Sequence, residues 1–76
     1  MNKQRRKRLE EASALLEQAR DILEEVKEEE QEAYDNLPEG LQNSERGEAM
    51  QEAVDNLESA YDSLEEAIDS VEVAGE

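Results

Sequence analysis

Glu58, Asp62, Glu65, Asp69 and Glu72 follow one another at spacings of 4, 3, 4 and 3, and no Lys or Arg occurs after Arg46. On a helix those intervals bring neighbouring carboxylates to ~5–6 Å on one surface. Glu52, Asp55 and Glu66 broaden the band. Carboxylates can transfer protons, hold metal ions or present an anionic recognition surface. For the first two, the residue types that most often work beside carboxylates are missing. It has no His and no Cys, so the usual general bases, nucleophiles and zinc ligands are missing. Carboxylate-bridged metal bundles use Glu-x-x-His pairs, which cannot occur here. The Gly-containing stretch EGLQNSERGE lacks phosphate-loop spacing, and there is no EF-hand pattern. The chain therefore reads as a non-enzyme with no cofactor and no metal site.

Recognition remains. A solvated helix face ordinarily mixes charge signs, because like charges at i,i+4 oppose helix formation. A one-signed row can imitate the phosphates of a nucleic-acid strand. The blander reading, an acidic surface that keeps the protein soluble, stands beside it. Two other charged features admit a structural explanation. Lys3, Arg5, Arg6, Lys7 and Arg8 could touch phosphate, but they also sit where an acidic helix C-terminus would compensate them. Asp69, Glu72 and Glu76 would supply that end. Glu30 is the one acid on an otherwise apolar seam, and it is read as reaching past a small residue toward water.

Stepping 3 and 4 residues along the chain uncovers the elements that carry these groups. Met50 to Ala74 contains the heptads MQEAVDN, LESAYDS and LEEAIDS, followed by VEVA. Large residues at Met50, Leu57, Leu64 and Val71 alternate with Ala53, Ala60, Ala67 and Ala74. Leu9, Ala12, Leu16, Ala19, Leu23, Val26, Glu30, Ala33 and Leu37 form a matching seam in the first half. Such spacing belongs to packed helices. Between them Pro38 stops a helix, Gly40 and Asn43 favour a turn, and Ser44 is an N-cap with Glu45 and Glu48 in the first turn. Gly47 reads as slightly weakening that turn.

The expectation is one all-α domain over residues 1–76. Helix 1 spans about 4–36, a loop spans about 37–43, and helix 2 spans about 44–74. Folded antiparallel, the hairpin sets Leu9 against Ala74, Leu16 against Ala67, Leu23 against Ala60 and Glu30 against Ala53. Almost every layer then joins a large residue to a small one. Leu15 and Ile22 on helix 1, with Val54, Tyr61 and Ile68 on helix 2, are left as a dimer interface. A two-helix unit of this size is marginal alone, and pairing into a four-helix bundle would cover these residues.

The composition agrees with that class. In 76 residues, 41% are charged and 36% hydrophobic, a balance that suggests disorder unless the apolar residues share one face. The net charge is −15; from Leu9 onward 23 acids face three bases, a balance of −20. Such a body repels nucleic acid and anionic membrane and attracts basic protein surfaces. The start MNKQRRKR looks like the n-region of a signal peptide, but LEEASALLEQ is no apolar core, so a cytoplasmic location is expected. No stretch approaches the ~20 apolar residues of a membrane span.

Arg5-Arg6-Lys7, Asp35-Asn36-Leu37-Pro38-Glu39, Gln42, Ser44-Glu45-Arg46 and Leu64-Glu65-Glu66-Ala67-Ile68 together resemble small acidic helical-hairpin proteins of phages and prophages of Gram-positive bacteria. The turn from Asp35 to Arg46 is the distinctive part. The resemblance implies a phage setting and assigns no site residue. Small acidic phage proteins include nucleic-acid mimics that block host DNA-binding or defence proteins. The functional expectation is therefore an anti-CRISPR or anti-restriction type of inhibitor whose acidic face binds a basic protein surface. A structural or regulatory homo-oligomeric bundle is the alternative.

Overall fold

In a computed structural model describing residues 1–76, α1 (Lys3–Asp35) and α3 (Glu45–Ala74) pack against each other as a hairpin, joined by a single helical turn, α2 (Glu39–Gln42). There is no strand. The hairpin is a rod with Cα extents of 58 × 14 × 12 Å. Neither long helix is apolar enough over its length to cross a membrane.

Local chemistry sets each boundary. Asn2 caps α1, its side chain accepting a hydrogen bond of 2.8 Å from the Arg5 amide. The helix stops short of Pro38, which has no amide to donate and restricts Leu37. Pro38 instead opens α2, its carbonyl accepting from the amides of Leu41 (2.8 Å) and Gln42 (3.2 Å). The Gln42 side chain donates back at 3.3 Å to the Tyr34 carbonyl, which also accepts from the Leu37 amide at 3.0 Å, tying α2 to the end of α1. Ser44 caps α3 by accepting from the Gly47 amide at 3.4 Å, while its hydroxyl donates to the Leu41 carbonyl. The expected loop thus contains a helical turn. Side-chain hydrogen bonds account for Gln42 and Ser44 of the DNLPE…Q.SER signature, and the missing amide of Pro38 ends α1.

Gly47 departs from expectation. It is buried, and a Cβ added there would lie 2.6 Å from the Gln42 carbonyl carbon and 2.8 Å from the Leu41 oxygen. The first turn of α3 is pressed against the backbone of α2. Far from merely weakening a helix, Gly47 permits that approach.

The core is thin. Val54, 8% exposed, and Ile68, 4% exposed, are its buried hydrophobic side chains. This corrects their assignment to an intermolecular face, because both are already covered within one chain. On α1, Arg20 and Lys27 also turn into the hairpin contact, their side chains only 25% and 24% exposed. Their methylene stems lie along the hairpin while the charged ends stay wet. Lys27 Nζ sits 5.9 Å from the Tyr61 ring centroid, so Tyr61 too is engaged inside the hairpin.

That choice of flank displaces part of the expected seam. Leu9, Ala12, Leu16, Ala19, Leu23 and Glu30 are half-buried, as are Met50, Ala53, Leu57, Ala60, Leu64, Ala67 and Val71. Val26, Ala33 and Ala74 are exposed instead. Near the termini Leu9 Cδ1 lies 3.9 Å from where a Cβ on Gly75 would stand. A straight helix drifts by ~20° per heptad from a 3.5-residue repeat, so the contact line moves from column to column. Here it moves toward Lys27, Gln31 and Tyr34, which are half-buried.

Glu30 stays on the contact side, half-buried and in no ion pair. Replacing it with leucine removes the cost of desolvating a carboxylate and adds apolar burial. Glu30→Leu should raise stability by about 0.5–1.5 kcal/mol. A lower urea midpoint for this variant would show that the carboxylate is needed there.

Candidate acidic interface

α3 holds its acids in a rigid array because it is one uninterrupted helix of 30 residues. Glu52, Asp55, Glu58, Asp62, Glu66, Asp69 and Glu72 are all exposed. Glu65 is different. Arg20 Nη1 lies 3.6 Å from its Oε1, and the residue is half-buried. The ladder therefore has a neutralised rung in the middle, which belongs to the hairpin contact more than to the free face. Arg20 also donates to Asp21 Oδ1 at 3.2 Å. That hydrogen bond, foremost, raises the guanidinium pKa above its ordinary value, and the Glu65 charge adds to the rise. The Tyr61 phenol is pushed up as well, chiefly by Glu65 as hydrogen-bond acceptor, then by burial.

A second row of acids was not singled out from sequence. Glu24, Glu28, Glu32 and Asp35 on α1 line a shallow groove that continues to Glu58 on α3, with Lys27 between them. Their spacing of 4, 4 and 3 was a readable signal. It was masked by the general acidity of α1. The groove makes the negative surface two helices wide at the turn end. No three carboxylates converge closely enough to hold a metal ion.

At the other end of the rod, Lys3, Arg5, Arg6, Lys7 and Arg8 are exposed. Arg6 Nη2 donates to the backbone carbonyl of Glu76 at 3.4 Å, so this basic tip touches the C-terminal end beyond α3. None of these five cations forms a side-chain ion pair with Asp69, Glu72 or Glu76. The expected carboxylate compensation is therefore not seen as ion pairs, and the Arg6 contact is the hydrogen bond that reaches the C-terminal end beyond α3.

Leu15, 65% exposed, and Ile22, 58% exposed, stand outside the hairpin contact, and Val26 joins them. No protein-family model, curated protein or solved structure matches the chain.

Proposed function

We propose that this protein is a small acidic interaction module. Its carboxylate face occupies a basic surface of a nucleic-acid-binding or defence protein in place of nucleic acid. The observation that carries this reading is the outer face of α3, where seven exposed carboxylates stand with no cation after Arg46. Their mutual repulsion costs helix stability, so a helix selected for stability alone would intersperse lysines. The phage resemblance of the turn signature and basic start supplies a setting in which such inhibitors act in a host cytoplasm.

A charge-neutralised variant tests it. Glu58→Gln, Asp62→Asn, Glu66→Gln and Asp69→Asn together remove four exposed charges and leave the Glu65 contact with Arg20 intact. The variant should fold at least as well as the parent and lose a basic partner captured by the parent, mainly through slower association. Excess nucleic acid should compete with the parent for the same partner. Added salt should weaken the complex while stabilising the free protein, since both effects arise from screening. A partner that survives neutralisation and ignores nucleic acid would rule out mimicry.

A second reading is a homo-oligomeric bundle. The exposed Leu15, Ile22 and Val26 favour it, because large apolar residues aligned on one helix face mark a contact surface.

A further inference from the structure

We propose that α1 carries a second, self-complementary seam on which another copy of this chain docks antiparallel. The inference rests on the bundle reading and specifies its geometry.

Arg8, Ala12, Leu15, Ala19, Ile22, Val26, Glu29 and Ala33 follow at spacings of 4, 3, 4, 3, 4, 3 and 4. That is a full heptad column beside the one that faces α3, the two sharing Ala12 and Ala19 at their border. Arg8, Leu15, Ile22, Val26, Glu29 and Ala33 are exposed, and Ala12 and Ala19 are half-buried. The opposite flank of α1 is occupied by Arg20 and Lys27 in the hairpin contact, so this stripe is the apolar face of α1 that remains open.

The column reads the same in both directions about the point between Arg20 and Asp21. In an antiparallel pair Leu15 meets Val26, Ala19 meets Ile22, Ala12 meets Glu29 and Arg8 meets Ala33, each twice. The central layers are apolar. At each end Arg8 comes within one turn of the opposing Glu29.

Charge selects this orientation over a parallel one. From Lys3 to Arg20, α1 has six bases against three acids, a balance of +3. From Asp21 to Asp35 it has one base against eight acids, a balance of −7. Antiparallel docking lays each basic half along the acidic half of the other copy. Parallel docking would stack Arg8 on Arg8 and the acidic ends on each other. The exposed acids of α3 take no part, so such a dimer would carry the proposed recognition face twice.

Light scattering of the full chain at about 100 μM should give the dimer mass, in the micromolar range expected for a modest interface. Ile22→Glu should weaken dimerisation at least about 100-fold by burying an unpaired charge. Circular dichroism should show its helicity unchanged, since Ile22 is exposed in the single hairpin; Ile22→Ala provides a milder second variant. Glu29→Arg should weaken the dimer and Arg8→Glu combined with Glu29→Arg should restore it. The chain has no cysteine, so a spin label at Glu32→Cys reports the orientation. Two labels should lie roughly 35–40 Å apart when antiparallel, from 1.5 Å per residue, and within about 20 Å when parallel. A monomer at that concentration would overturn both this inference and the bundle reading. A dimer with the short label distance, or one indifferent to Ile22→Glu, would overturn the antiparallel seam alone. Neither result bears on the α3 acid face, which the neutralised variant tests separately.

Discussion

Gly47→Ala should be among the most destabilising single-methyl changes available in this chain, lowering stability by about 2–4 kcal/mol. The added Cβ would meet backbone, at 2.6 Å from the Gln42 carbonyl carbon and 2.8 Å from the Leu41 oxygen. A flexible side chain could swing aside, whereas these atoms are held by the hydrogen bonds of α2 to Pro38 and of Ser44 to Leu41. Relief requires prising α3 away from the turn, and that strains the Ser44 cap as well. Gly40 is the matched control. Nothing lies within 4 Å of a Cβ built there, and it sits inside α2, so Gly40→Ala should be neutral or stabilising by up to about 1 kcal/mol. Urea unfolding of the two variants should show midpoints moving apart. Equal midpoints would mean that α2 and α3 do not meet as described.

Ile68→Ala should cost about 2–4 kcal/mol, while the chemically identical Ile22→Ala should cost under about 0.5 kcal/mol in the isolated hairpin. Ile68 is 4% exposed and Ile22 58% exposed, so only the first substitution leaves a cavity. The hairpin has few alternative sources of stability, since Val54 is its other buried hydrophobic side chain. Measurement in dilute solution keeps intermolecular contacts from contributing at Ile22. If the two variants unfold at the same denaturant concentration, the covered flank has been assigned to the wrong side of the hairpin.

These results separate what is local in this protein from what is not. The two long helices, their antiparallel return and the position of the turn follow from apolar spacing, Pro38 and the Ser44 cap, all visible along the chain. Observed helix limits fall within a residue or so of those expected: Lys3–Asp35 against about 4–36, and Glu45–Ala74 against about 44–74. Hydrogen bonds and backbone restrictions that span three or four residues leave such marks because both partners sit in one short window.

Three features are decided only when the helices meet. Val54, Tyr61 and Ile68 read as surplus because periodicity counts apolar side chains alone, yet Val54 and Ile68 are buried within the hairpin and Lys27 lies over the Tyr61 ring. Glu65 reads as one rung of a uniform ladder until Arg20 reaches it from the other helix. Gly47 reads as a mild helix breaker until the backbone of α2 is pressed against it. In each case the second partner is remote along the chain or belongs to a different element. The acid array itself was legible because a single helix carries it. Which of its carboxylates remain free was settled by packing, since a hairpin of two helices can cover only one flank of each.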